Sequence, residues 1–170
     1  MSDDAEMGIL ARRRIEAGVI KPIYETLVAH LGKAQAQALI GEAIAKTAVA
    51  AGRDFAAREP GGADLRSFAE LQRLWTQDDA LEVTVLRADE AAFSYDVHRC
   101  RYAEMYHAMG LGEIGHLLSC NRDYGFIEGY DPNATLTRTS TLMSGGSCCD
   151  FRYAAKPDGA KAEAEAKSEE

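Results

Sequence analysis

The chain has 170 residues, 46% of them hydrophobic and 27% charged, with a formal net charge of −8. That length and composition suit one globular domain with a single sizeable core and exclude a fibrous or low-complexity chain. The acidic balance gives no electrostatic reason to bind nucleic acid or an anionic membrane surface, so the expected partner is a small molecule, with homo-oligomerisation left open.

No run approaches the roughly 18 apolar residues that span a bilayer, and the opening Met1-Ser2-Asp3-Asp4 lacks the basic-then-apolar pattern of a secretory signal. A cytoplasmic location is expected, with Cys100, Cys120, Cys148 and Cys149 as thiols. Adjacent cysteines are poorly placed to bridge each other in a strand, and no C-x-x-C pair signals a zinc finger. No glycine motif that would cradle a phosphate is present, and no cofactor is expected.

In chain order, apolar residues at three- and four-residue steps predict an amphipathic helix from Met7 to His30, with Pro22 as a kink or break. After Gly32 the alanine-rich stretch from Ala34 to Arg58 reads as a second helix, ended by Pro60-Gly61-Gly62. Asp64 is placed to cap a third, from Leu65 to Trp75. The period then changes to two. Residues 81–86 and 92–98 alternate around a turn at 88–91, which predicts a β-hairpin. Helices from Cys100 to Met109 and from Gly112 to Glu128 follow, split by Gly110-Leu111-Gly112. Thr135 to Leu142 and Ser147 to Tyr153 alternate again, joined by a turn at 143–146, as a second hairpin. The stretch 154–170 holds no large apolar residue and is expected to be a disordered tail. The expected fold is α+β: one domain over 1–153, with N-terminal helices packed on a four-stranded antiparallel sheet and two helices inserted between the two hairpins.

A continuous helix from Gly112 to Glu128 would place Glu113, His116, Cys120 and Asp123 along one stripe. The same stripe also reads as a solvated Glu–His face with Cys120 as a small core residue. Cys100, Glu104 and His107 repeat the spacing on the preceding helix, and Glu-x-x-His is a spacing that metal-binding bundles use. In the last strand, alternation sends Ser147, Cys149, Phe151 and Tyr153 to the core side, and Cys148, Asp150 and Arg152 to the other. On the preceding strand Arg138 shares its face with Leu136, Ser140 and Leu142. A half-buried arginine in that company needs an anion, either an internal acid such as Asp123 or Asp150, or a substrate carboxylate.

Five ordered stretches then act together: residues 99–106 (RCRYAEMY), 118–123 (LSCNRD), 128–132 (EGYDP), 138–142 (RTSTL) and 146–153 (GSCCDFRY). In this order they resemble the L-2-amino-thiazoline-4-carboxylic acid hydrolase family, most closely from Phe93 to Tyr153 and more weakly in Arg12-Arg13-Arg14-Ile15-Glu16-Ala17 and the alanine-rich helix. The resemblance implies a bacterial hydrolase that opens a cyclic amidine, the thiazoline ring of 2-amino-thiazoline-4-carboxylate or a related ring. The positions that match the family pattern are Cys100, Tyr102, Glu104, Cys120, Asp123, Arg138, Thr141, Cys149, Asp150 and Phe151. His107, His116 and Cys148 fall outside it. The order of helices and sheet is also similar to vinyl-reductase-type ligand-binding domains related to Golgi-tethering subunits, an analogy of fold alone.

Three functions are open at this point. In the first, Cys149 or Cys120 attacks the amidine carbon, Asp123 or Glu104 moves protons or activates water, and Arg138, with Tyr102, Thr141 and Cys100, binds the substrate. In the second, Cys100, Cys120 and Cys149, joined by Asp123, hold a zinc ion. In the third, the pocket binds an apolar ligand without chemistry, lined by residues such as Phe126, Met143 and Phe151 and free of any polar cluster.

Overall fold

The first two helices part at Gly32, whose φ of 80° lies in the left-handed region that favours glycine. The computed structural model describes residues 7–157, and its helical half comprises α1 (Ile9–Leu31), α2 (Lys33–Ala56) and α3 (Leu65–Thr76). α1 runs through Pro22 without interruption, so the expected break does not occur. α3 begins with a reciprocal cap: Asp64 accepts the Ser67 N–H at 2.7 Å, and Ser67 Oγ accepts the Asp64 N–H at 3.0 Å.

The rest of the chain supplies β1 (Leu81–Ala88), β2 (Ala92–Cys100), α4 (Arg101–Ala108), α5 (Arg122–Tyr130), β3 (Ala134–Thr137) and β4 (Cys149–Ala155). The strands form one antiparallel sheet in the order β1-β2-β4-β3. Phe93, Tyr95 and Val97 of β2 and Cys149, Phe151 and Tyr153 of β4 are buried on one face, against Phe68 of α3 and Phe126 and Tyr130 of α5. Their polar neighbours, including Asp96, Asp150 and Arg152, point the other way, as the period of two requires. A second core lies among α1, α2, α4 and the segment holding Leu111, Ile114 and Leu118. α2 and α5 join the halves by close approach: a Cβ on Gly52 would strike the backbone of Phe126 and Tyr130, and one on Gly129 the backbone of Val49.

Two predicted elements differ from the expectation. The stretch Gly112 to Glu128 is not one helix: a π turn at His116–Cys120, in which the Asn121 N–H reaches the His116 carbonyl at 2.8 Å, precedes α5. Guanidinium groups take carbonyls around this irregular turn, Arg122 Nε that of Leu118 at 2.8 Å and Arg138 Nη2 that of Cys120 at 2.8 Å. The extra residue rotates everything after it, so the four-residue stripe is broken. The second hairpin is also shorter than predicted. β3 ends at Thr137, because the Asp150 carboxylate captures the N–H groups of Thr139 and Ser140 and the Thr139 hydroxyl at 2.6 to 3.1 Å. Those donors are lost to the ladder, and residues 138–141 leave the sheet for a short 3-10 turn at Leu142–Ser144. At the other end, β4 continues to Ala155, with Ala154 and Ala155 opposite Thr135 and Ala134. The tail expected over 154–170 therefore starts inside a strand, and its residues 158–170 lie outside the described range.

Candidate functional site

Trp75, Leu81 and Cys100 pack against both cores, and at that seam lies a cavity of about 160 Å3. This is the size class that holds one benzene ring in an engineered apolar cavity. Phe55, Phe68, Trp75, Tyr95, Phe126 and Phe151 give it an aromatic wall. The sheet contributes them by alternation, and α2, α3 and α5 by helical spacing, so each element presents its apolar face to the same space.

Polar groups line the cavity as well. Cys100, Cys120 and Cys149 all line it, although they come from the end of β2, the π turn and the start of β4. Asp123 and Arg138 line it with them. Arg138 Nη1 donates to Asp123 at 2.6 Å, and the guanidinium sits 4.8 Å from the centre of the Phe151 ring and 5.2 Å from that of Tyr124. The Arg138 side chain is 4% exposed, whereas Asp123 keeps 27% of its accessible surface. Asp123 is thus the more accessible partner of the pair, and it lines the cavity. Burial pushes Asp123 above the usual carboxylate range, Arg138 pulls it back, and the guanidinium stays charged throughout.

The thiols are held in the neutral state. Burial pushes Cys100 up to about 11, with the Ala103 N–H, which donates to Cys100 Sγ at 3.4 Å, acting in the opposite direction. Burial and the adjacent Asp123 charge push Cys120 up to about 12. Cys149 is raised by burial as well, but the Leu142 N–H donates to its sulfur at 3.2 Å and the Arg138 charge favours its thiolate. Among the described residues no three His, Cys, Asp or Glu side chains are grouped so as to hold a metal ion. Cys100, Cys120 and Cys149, the set expected for zinc, form no such group here.

The remaining predicted residues divide. Tyr102 lines the cavity and donates from its hydroxyl to the Trp75 carbonyl at 3.3 Å. Glu104 does not join it: half exposed, it is tied to Arg99 at 2.8 Å on the surface, which holds its carboxyl below the usual range. Thr141 lies outside as well, its hydroxyl accepting the Ser144 N–H at 3.2 Å to cap the 3-10 turn. It belongs to an outer recess with His116, Tyr124 and Ser140, of which Cys120 and Arg138 form the common wall with the inner cavity. Glu113 turns to Tyr24 and Lys33, His107 lies against the Met143 carbonyl, and Cys148 lends only its carbonyl to Ser140 Oγ.

Sequence reasoning did not single out Arg12, Arg13, Gln72 and Arg122 as site residues, yet all four line the cavity. Glu16 serves two of them, accepting from Arg13 at 2.7 Å and from Arg122 at 3.0 Å. Two cations thus share one carboxylate beside an apolar hollow. The Gln72 amide nitrogen is buried near the Tyr95 hydroxyl without a hydrogen bond of full geometry, and no other buried side-chain nitrogen or oxygen among the described residues lacks a partner. The weak signal for the arginines was the run Arg12-Arg13-Arg14; nothing in the sequence marks Gln72.

The family described as L-2-amino-thiazoline-4-carboxylic acid hydrolase matches residues 12–153. No curated protein matches the chain. Among solved structures, the phenol-responsive sensory domain of the transcription activator PoxR with phenol is 13% identical, with a TM-score of 0.52 over 86% of this chain and 79% of that one. A trafficking protein particle complex subunit 3 from Naegleria fowleri, covalently bound to palmitic acid, is 12% identical, with a TM-score of 0.46 over 85% of this chain and 97% of that one. At such identity the first likeness is one of fold alone. Among the described residues, no helix is long and apolar enough to cross a membrane.

Proposed function

The chain belongs to the L-2-amino-thiazoline-4-carboxylic acid hydrolase family, and from that premise we propose that the cavity takes a small carboxylate-bearing cyclic amidine or amide and opens a ring C–N bond. The observation that carries this reading is the convergence of three thiols, the Asp123–Arg138 pair and the Arg13–Arg122 pair around one aromatic-walled hollow. The aromatic wall suits a flat ring, and the volume suits a single one. Arg13 and Arg122, with one carboxylate between them, receive the substrate carboxylate as the second anion. Arg138, engaged with Asp123, holds the acid in place instead of clamping substrate.

Cys149 is the favoured nucleophile: Asp123 and Arg138 act on both thiols in opposite directions, but at Cys149 the Arg138 charge outweighs that of Asp123 and the Leu142 N–H donates to the sulfur, whereas at Cys120 the Asp123 charge outweighs that of Arg138. As its sulfur bonds to the ring amidine carbon, the thiol proton passes to Asp123. Asp123 returns that proton to the ring nitrogen as the C–N bond breaks. Water then adds at the same carbon, and its proton travels through Asp123 to the departing Cys149 sulfur, so that each turnover consumes one water. In a variant with the same residues, Asp123 activates water directly. Replacing Cys149 and Cys120 singly by serine and following ring opening of 2-amino-thiazoline-4-carboxylate tests the mechanism. Loss in Cys149→Ser is the expected result, and full activity in both variants removes the thiol route.

A second reading has its own observation. The neutral thiols and the engaged Asp123 also suit a receptor that binds a ring compound without transforming it. Saturable binding of the carboxylate-bearing ring by the unmodified protein, with no product formed, favours this reading over hydrolysis.

A further inference from the structure

Gln72 occupies an apolar position of α3. Phe68, Gln72 and Trp75 follow one another at steps of four and three, so they share one stripe of the helix, and all three line the cavity. The Gln72 amide nitrogen is buried and has no hydrogen-bond partner. Its neighbour is the Tyr95 hydroxyl, which lies beside that of Tyr153; the two rings, from β2 and β4, stack with centres 6.3 Å apart and also line the cavity. Burial pushes both hydroxyls up, so each keeps its proton and remains an O–H donor. A buried donor left unmet costs stability, and native proteins retain few of them.

The chemistry of the carboxamide says what would meet it. The terminal torsion of glutamine is broad and two-fold, so half a turn exchanges its nitrogen and oxygen. Turned in this way, the oxygen accepts from the Tyr95 O–H, and the nitrogen offers its hydrogens to the cavity. An acceptor on a bound ring then leaves no member of this chain of groups unmet. A ring N–H, by contrast, is met only by the amide oxygen, and the nitrogen stays unmet beside Tyr95. Charge points the same way. Arg13, Arg122 and Arg138 bring three positive charges to the cavity wall, and Glu16 and Asp123 answer with two negative ones. A substrate carboxylate supplies the third anion, after which a cation on the ring is left without a counter-charge among these groups.

We propose that Gln72 donates to a carbonyl oxygen carried by the ring, so that the cavity selects a neutral cyclic amide over a cationic cyclic amidine of the same shape. The inference rests on the reading of the cavity as a site for a carboxylate-bearing ring, and it names which of the two ring classes fits. Gln72 is then a specificity-determining residue of that site.

Two rings of equal size test this at pH 7: 2-oxothiazolidine-4-carboxylate, a neutral cyclic amide, and 2-amino-thiazoline-4-carboxylate, whose amidine is protonated there. Binding is read as the change in fluorescence of Trp75, the single tryptophan, within seconds of mixing with the full chain. The oxo ring should bind at least about tenfold tighter. Gln72→Met, unbranched and of similar length, should weaken binding of the oxo ring about threefold to tenfold and leave that of the amino ring unchanged. The same variant should raise the melting temperature by about 2 to 6 °C, because it removes an unmet polar group, whereas a purely structural amide would be missed. Gln72→Glu, which sets an acceptor-only anion at the same place, should turn the preference toward the amino ring. Equal affinity for the two rings, equal losses for both in Gln72→Met, or a melting temperature that falls in that variant overturns the inference and leaves the carboxylate-ring reading in place. Binding of neither ring overturns that reading, and the inference with it.

Discussion

Replacing Asp123 by asparagine keeps the shape of the side chain and removes the counter-ion of Arg138. The guanidinium, 4% exposed, then retains only the Cys120 carbonyl at 2.8 Å, the neutral amide oxygen and two ring faces. With charge centres about 4 Å apart and an effective dielectric near 20, the lost attraction is about 4 kcal/mol. Measured losses on breaking buried pairs run from about 3 to 5 kcal/mol. The retained hydrogen bond offsets part of this, so a loss of about 3 kcal/mol is expected, which lowers the melting temperature of a chain this size by about 6 to 12 °C. Urea unfolding followed by circular dichroism measures it. The double replacement Asp123→Asn with Arg138→Met removes the stranded charge while keeping an apolar side chain over Phe151, and should recover at least about 2 kcal/mol relative to the sum of the single losses. A single loss below about 1 kcal/mol, or strict additivity in the double variant, refutes the argument that the pair is a buried unit.

Alkaline pH should destabilise the protein through its thiols. Unfolded cysteine titrates near about 8.5, whereas burial holds Cys100 at about 11 and Cys120 at about 12. Between these values the folded state binds more protons than the unfolded one, so stability is full below about 8.5 and falls as pH rises, by up to about 1.4 kcal/mol per pH unit for each thiol. Cys100→Ala should flatten that slope in unfolding curves taken across the window, and an unchanged slope counts against buried neutral thiols. Asp150 has the opposite sign. Burial raises its carboxyl, but the Thr139 hydroxyl and the Thr139 and Ser140 N–H groups outweigh this and hold it below the usual range, so the stability it adds is lost as pH falls through the carboxylate range. Asp150→Asn should loosen residues 139–144, read as faster amide exchange there and unchanged exchange in α2. Gly129→Ala, whose added Cβ meets the Val49 backbone, should cost about 1 to 3 kcal/mol by forcing α5 off α2; a neutral effect would show that the approach is not tight.

Where hydrophobic period and local stop signals agreed, the fold was legible. α2, α3 with its Asp64 cap, and the first hairpin appear within a few residues of their predicted bounds, because each is specified by residues that are near neighbours in the chain. The misses have a common cause. The break before α5 and the early end of β3 are both enforced from a distance, by Arg138 on the Cys120 carbonyl and by Asp150 on Thr139 and Ser140. A window of local propensity does not contain the carboxylate or guanidinium that takes a backbone group away from its ladder.

The same distance effect bears on the site. Strand alternation alone turned Cys149 inward and Cys148 away, and the structure agrees, with Cys149 6% exposed and only Cys149 on the cavity. Alternation could not bring Cys149 to Cys120, because the helical stripe that seemed to organise Cys120 and Asp123 is interrupted between His116 and Cys120. What keeps both residues on the cavity is Arg138, which holds the Asp123 carboxylate and the Cys120 carbonyl with the same guanidinium while stacking on Phe151, two residues along β4 from Cys149. Arginine's fixed fork makes that three-way contact possible, and lysine, with one point charge, could not hold carboxylate and carbonyl in this geometry. Arg138→Lys should therefore retain the charge and still separate the groups: a fall in ring-opening activity close to that of Arg138→Met is the expected result, and activity near the unmodified level would show that charge alone organises the site.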